Sequence, residues 1–214
     1  YQITMNNNNV SAWNTTNVST PMFGVLQGKY DSYFRTLASQ IKAYGHPVLF
    51  RLNNEMNSDW TSYCGMMTLV DPEIFIEVWR HIYELFREEG VDNCIWIFNP
   101  IADSCPFSNW GEDLAYYPGN EYVQALGATN YVMGNSVPFN SFRSSYTQVF
   151  NENRAVFASR PWIISEFACG CGGASSGEEC RFSAEQAQWV SDMFGDFADY
   201  EVHPYLAPFK GGVW

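Results

Sequence analysis

Basic residues are scarce in this chain: 11 Lys and Arg stand against 23 Asp and Glu, a formal charge of −12 over 214 residues. That balance repels phosphate backbones and anionic lipid surfaces, which argues against nucleic-acid and peripheral-membrane partners. No run of about 20 apolar residues occurs, so no membrane-spanning helix is expected. A basic segment followed by an apolar stretch is also missing at the start, Tyr1-Gln2-Ile3-Thr4-Met5, and the chain reads as mature, trimmed or truncated. Histidine is limited to His46, His81 and His203, no two at metal-ligand spacing, and neither a zinc ribbon nor a CxxC pair is present. No GxGxxG or Walker-type loop follows any strand-like run, and no GxSxG elbow occurs. These gaps disfavour a nucleotide-dependent enzyme and a serine hydrolase, and neither a metal nor a cofactor is expected.

What is abundant is apolar and aromatic surface: 46% of residues are hydrophobic and 17% aromatic, with 8 Trp and 13 Tyr. The length suits one packed domain, residues 1–214. Most of the rings belong to a core, and a flat ring with one polar handle also suits a sugar. Six cysteines stand at 64, 94, 105, 169, 171 and 180. The last three share a Gly-rich stretch that allows a disulfide such as Cys171 to Cys180 and, less readily, a metal site. Asn14 and Asn17 begin Asn-x-Ser/Thr acceptors, which are compatible with secretion.

Helical spacing of Phe34, Leu37, Ala38 and Ile41 predicts a helix ending at Gly45, a C-terminal cap, and residues 46–52 then read as a strand. From Asp71 to Gly90 the pattern is clearest: Asp71 caps, Pro72 opens the first turn, and Ile74, Phe75, Val78, Trp79, Ile82, Leu85 and Phe86 form one apolar face. Further strands are expected over Cys94 to Phe98, Val123 to Tyr131 and Pro161 to Ser165, and another at Phe209 to Trp214. A helix fits roughly residues 143–158. Ser183-Ala184-Glu185-Gln186 reads as a capping box opening a last helix, its inner face Ala187, Val190, Phe194 and Phe197. Apolar strands alternating with helices indicate an α/β fold with a parallel sheet, either doubly wound or closed as a (β/α)8 TIM barrel.

Two carboxylates stand at strand ends. Glu55 lies among the amides of Asn53, Asn54 and Asn57, which can orient a carboxyl or a sugar hydroxyl, while Glu166 follows the apolar run Ile163-Ile164-Ser165. Two carboxyls in unlike surroundings, one protonated and one ionised, are what acid-assisted glycoside cleavage requires. Trp60 and Trp110 fall in predicted strand-end loops, where rings can stack on sugars, whereas Trp96 and Trp162 fall inside strands and are expected in the core.

At this point the chain resembles glycoside hydrolase family 26. The likeness is carried by Pro47 to Arg51 running into Asn54-Glu55-Met56-Asn57 and Trp60, then Phe75, Trp79-Arg80, Trp96, Tyr116-Tyr117-Pro118-Gly119 and Pro161 to Glu166-Phe167, in the family's order. The resemblance implies a TIM barrel and a retaining endo-β-glycanase that needs no cofactor. It implies Glu55 as general acid/base at the end of strand four and Glu166 as nucleophile at the end of strand seven. Tyr131 corresponds to a tyrosine that hydrogen-bonds the nucleophile, and Trp214 to an aromatic on strand eight. Asn54, Trp60, Trp110, Tyr131 and Trp214 are the candidate substrate-binding residues. The implied partner is a polysaccharide, most simply β-mannan, and the implied location is extracellular.

Two departures from the family pattern bear on the sugar. Most mannanases of the family carry His before the acid/base, where this chain has Asn54, and Pro-Gly-Asp is here Pro118-Gly119-Asn120. Mannose and glucose differ at carbon 2, the position an amide there would hold, so mixed-linkage β-glucan stays open beside mannan. A non-catalytic carbohydrate-binding barrel is the alternative from another class. Counting strands in the family's order leaves the first two without a counterpart, so the N-terminal strands are expected to be missing from this chain.

Overall fold

The computed structural model describes residues 2–3, 21–102, 105–134, 136–152, 160–172, 180–199 and 209–212. The chain divides into two compact units, Tyr1–Leu126 and Gly127–Trp214.

In the first unit the strands β1 (Gln2–Ile3), β2 (Val48–Leu52) and β3 (Cys94–Phe98) and the start of β4 (Ala125–Val132) lie side by side in chain order, all parallel. Parallel neighbours need a crossover, and α3 (Pro72–Glu88) supplies it between β2 and β3, in the register Val48↔Cys94 to Arg51↔Ile97. Both strands therefore release their chain at the same edge, Leu52 into the loop bearing Glu55 and Phe98 into the loop bearing Trp110.

Helix α3 forms as its sequence predicts. The Asp71 carboxylate accepts the Glu73 N–H at 3.1 Å, Pro72 fills the first turn, and Gly90 leaves the helix at φ +70°. Its inner face is Phe75, Ile76, Val78, Trp79, Ile82, Leu85 and Phe86, all buried, with Ile74 only half-buried. Those side chains meet the strands in an aromatic cluster: Phe50 lies 4.6 Å from Trp96 and 5.2 Å from Phe86, and Trp79 lies 5.5 Å from Trp96, between ring centroids. Tilted and edge-on contacts of this kind each add about 0.5–1.5 kcal/mol to the burial itself. Trp96 is core, as expected.

Helix α1 (Pro21–Leu26) precedes α2 (Asp31–Tyr44), which ends at Gly45 with φ +69°, the expected cap. Arg35 ties α2 to the end of α3 through Glu88 at 2.6 Å and Glu89 at 2.8 Å, and these two hydrogen bonds raise its pKa further. His81 meets Asp31 at 2.7 Å.

The second unit holds the rest of β4, then α4 (Phe142–Glu152), β5 (Trp162–Cys169), α5 (Ser183–Ala198) and β6 (Phe209–Gly212), with β5 and β6 parallel. Its core is Phe142, Tyr146, Ile164, Phe167, Cys169, Trp189 and Met193. Trp162 is fully buried against Phe150, and the Cys171–Cys180 disulfide is present.

Three expectations are corrected here. The capping box does not form: Ser183 is already inside α5, the residue at the cap is Phe182, and no side chain caps the end. The inner face of α5 is Trp189, Met193 and Asp196, with Val190 and Phe197 only half-buried, Ala187 exposed and Phe194 64% exposed. Arg143 explains the difference, because its guanidinium pairs with Asp196 and draws a carboxylate to the face that apolar spacing assigned elsewhere. Finally, β5 runs on to Cys169, so Glu166 lies within the strand rather than past it.

Asn14, Asn17, His203 and Trp214 lie outside the described residues, as do residues 153–158 of the helix expected after Ser141. No described helix is long and apolar enough to cross a membrane. Among the described residues no group of three or more His, Cys, Asp or Glu is placed to hold a metal ion.

Candidate active site

In the first unit, β2 ends and the backbone turns sharply. Asn53 and Glu55 both take positive φ, +48° and +59°, a region that costs a residue with a side chain on the order of 1 kcal/mol. Hydrogen bonds hold the turn: the Glu55 N–H donates to the Asn99 carbonyl at 2.8 Å, and the Ser58 hydroxyl and N–H donate to the Glu55 carbonyl at 2.6 Å and 3.2 Å. The chain just beyond β3 thus fixes the carboxyl beyond β2. The Arg51 guanidinium secures the same corner by donating to the Asn99 Oδ1 at 2.8 Å.

The Glu55 side chain is half-buried, and its Oε2 accepts the Trp60 Nε1–H at 2.9 Å. Trp60 itself is 45% exposed. Asn54 is buried, and the Tyr63 hydroxyl donates to its carbonyl at 2.7 Å. Asn53 and Asn57 are fully buried, which leaves them to orient protein groups and not a sugar hydroxyl. Asn57 instead bridges the two strand-end loops: its Nδ2 donates to the Ile101 and Gly111 carbonyls at 3.1 Å and 3.2 Å, and its Oδ1 accepts the Ile101 N–H at 2.9 Å.

Trp110 sits in a 3-10 turn, Asn109–Gly111, half-buried against Gly65. A Cβ on Gly65 would stand 2.7 Å from the Trp110 ring and 1.9 Å from the Tyr116 hydroxyl, so only glycine lets these rings settle there. Burial of that tyrosine, and then the neighbouring Cys64, push its phenol pKa up, keeping it neutral.

In the second unit, β5 buries Trp162, Ile164, Ser165, Phe167 and Cys169 and leaves Glu166 half-buried. The Tyr131 hydroxyl, near the end of β4, donates to Glu166 Oε2 at 2.9 Å. Tyr131 is 41% exposed, which leaves its ring edge reachable. The phenol donates and the carboxyl oxygen accepts, so this bond fixes the orientation of the Glu166 side chain. Past Glu166 the strand is tied down by Gly170 N–H donating to the Val132 carbonyl and Phe182 N–H to the Cys171 carbonyl, both at 2.7 Å.

Both sequence-selected glutamates therefore have the same local form: a half-buried carboxyl with one oxygen held by an aromatic N–H or O–H. Residues 12–162 match the sequence profile of Glycosyl hydrolase family 26. The chain belongs to glycosyl hydrolase family 26.

Endoglucanase H of Acetivibrio thermocellus is 30% identical over 174 residues, 79% of this chain and 18% of that protein. A mannan endo-1,4-beta-mannosidase of Bacillus subtilis is 32% identical over 99 residues, 44% of this chain and 26% of that protein. Among solved structures, a modular endo-beta-1,4-mannanase from Cellulomonas fimi matches with a TM-score of 0.61 at 18% identity, over 87% of this chain and 40% of that one. The likeness in structure gives the fold class, α/β of the TIM-barrel type, to which the parallel strands and crossover helix described above conform. This family 26 chain spans only 18% and 26% of the two relatives' lengths and 40% of the solved one.

Sequence reasoning missed Tyr63 and Ser58, which hold the Glu55 turn. No local signal marks them, since their value lies in reaching a backbone carbonyl that only the positive-φ turn presents.

Proposed function

We propose that this family 26 protein is a retaining endo-β-glycanase, hydrolysing internal β-1,4 linkages of a plant-type polysaccharide through a covalent glycosyl-enzyme intermediate. Glu55 is the general acid/base and Glu166 the nucleophile. In the first step Glu166 attacks the anomeric carbon while Glu55 gives its proton to the departing glycosidic oxygen. In the second, Glu55 as carboxylate takes a proton from water, which releases the sugar from Glu166. The observation that carries this reading is the Tyr131–Glu166 hydrogen bond: a phenolic donor holds a half-buried strand carboxyl in one orientation, as a nucleophile requires.

Trp60 and Trp110 are the proposed sugar-stacking rings, with Asn54 and Tyr131 as polar contacts; Trp214 joins them by family resemblance. β-Mannan is the first substrate to test, in keeping with relatives named as mannan endo-1,4-beta-mannosidases. Mixed-linkage β-glucan is the second reading, favoured by Asn54 and by the longer match to a relative named Endoglucanase H. A polymer too large to enter a cell calls for secretion, and the Cys171–Cys180 disulfide suits an oxidising compartment.

The test is reducing-sugar release from galactomannan, glucomannan, mixed-linkage β-glucan and carboxymethyl cellulose, with Glu55→Ala and Glu166→Ala alongside. Release from one polymer, abolished in both variants, is expected and names the sugar. Release that survives either substitution would refute the assigned roles, and binding without release would identify a non-catalytic barrel.

A further inference from the structure

We infer that Trp60 selects the Glu55 oxygen that carries the transferable proton, and sets the pH at which that proton is lost. The inference rests on the reading of Glu55 as general acid/base. It goes beyond a stacking role for Trp60, because it concerns the indole N–H and not the ring face.

An indole nitrogen can only donate. Oε2, 2.9 Å from the Trp60 Nε1, therefore accepts, and the carbonyl oxygen of a carboxylic acid accepts better than its hydroxyl oxygen. The acid form of Glu55 consequently carries its proton on Oε1. When Oε1–H delivers that proton to the glycosidic oxygen, the Trp60 bond passes from a neutral acceptor to a charged one and strengthens. The contact is thus worth more after proton transfer than before it, the condition for speeding the step. When water later returns a proton to Oε1, the bond relaxes to its first state, and the N–H of Trp60 is never itself transferred.

Charged or titratable groups on the neighbouring described segments include Arg51 on β2, whose guanidinium is bonded to Asn99, and on the loop itself Asp59 and Tyr63, the latter bonded to Asn54. Asn99, beyond β3, meets Glu55 through a neutral carbonyl, and α1 contributes Met22 against Asn53. None of these changes when the indole N–H alone is removed, so the contribution of Trp60 can be isolated.

The experiment compares the parent protein with Trp60→Phe and with a variant carrying 3-benzothienyl-alanine at position 60, a ring of indole shape without the N–H. Carboxyl-labelled glutamate reports the Glu55 titration by 13C NMR, the resonance being assigned from its loss in Glu55→Gln. Both changes at position 60 are expected to move the Glu55 midpoint up by about one pH unit. The alkaline limb of kcat/KM should move with it, while the benzothienyl variant keeps the parent KM. A midpoint unmoved in the benzothienyl variant would overturn the inference, since that ring preserves packing and stacking. A parent that hydrolyses none of the polymers would instead overturn the acid/base reading. The NMR midpoint needs no turnover and judges the Trp60 contact by itself.

Discussion

Replacing Gly170 with alanine should force apart the ends of β4 and β5. A Cβ at Gly170 would stand 2.3 Å from the Met133 carbonyl oxygen, where ordinary contact begins at 3.4 Å. The opposing residue is equally confined, because a Cβ at Gly134 would lie 2.2 Å from the Gly170 carbonyl oxygen. Backbone meets backbone on both sides, so no rotamer change relieves the overlap and the strands must separate by roughly 1 Å, an overpacking cost of about 1–3 kcal/mol. Separation also breaks the 2.7 Å bond from Gly170 N–H to the Val132 carbonyl. Losing this bond between two half-buried residues adds about 1 kcal/mol, for a total of about 2–4 kcal/mol. Gly45→Ala is the control: it shares the positive φ of Gly134, at +69°, but has nothing within 4 Å of the added atom. It should cost about 1 kcal/mol from backbone strain alone. Urea denaturation followed by circular dichroism measures both, and Gly170→Ala should also lower activity, because Tyr131 adjoins the displaced Val132. A Gly170→Ala variant no less stable than Gly45→Ala would refute the argument that this seam tolerates only glycine.

Tyr131→Phe removes the hydroxyl that donates to Glu166 and keeps the ring. A hydrogen bond to a charged group that is partly open to solvent should lower kcat about 10-fold with little change in KM, and an unchanged kcat would remove Tyr131 from the mechanism. Gly195→Ala acts inside α5, where an added Cβ meets nothing within 4 Å. It should stabilise the protein by about 0.5–1 kcal/mol, read as a higher urea midpoint. Burial raises the Cys94 thiol pKa from 9.0 to about 12, so the folded chain keeps a proton that the unfolded chain gives up. This contribution to stability is whole below pH 9 and is lost as the pH rises through about 12. Urea midpoints taken across that window should fall more steeply in the parent than in Cys94→Ala, and equal slopes would contradict it.

The parts legible in the sequence were those that a local pattern encodes. Helix α3 carried its cap, its first-turn proline and its apolar face in consecutive residues, and β3 runs from Cys94 to Phe98 as read. Glu55 was legible as a carboxyl past a strand end and Glu166 as a carboxyl on an apolar run, yet the partner of each was less so. Tyr131 came through family resemblance, whereas the Trp60 hydrogen bond depends on a turn whose positive φ values no propensity favours at Asn53 or Glu55. The α5 face was misread because hydrophobic spacing is blind to an ion pair: Asp196 turns inward to Arg143, and Trp189 follows it, its Nε1 donating to the Asn140 carbonyl at 2.9 Å. The strand β5 runs past Ser165 although a charged residue looks like an ending, because Glu166 continues the row of buried Ile164 and is only half-buried itself.

The aromatic cluster of the first unit has a spectroscopic use. Trp79 and Trp96, both buried and 5.5 Å apart, are close enough for their indole transitions to couple and produce a paired positive and negative signal in circular dichroism. Trp162 and Trp189, in the second unit, have among the described residues Phe150 and Phe142 as ring neighbours, which absorb weakly and at shorter wavelength. The couplet therefore reports the melting of α3 on β3 while the remaining near-ultraviolet signal includes the second unit. One protein sample thus carries an internal label for whether its two halves come apart together or in turn.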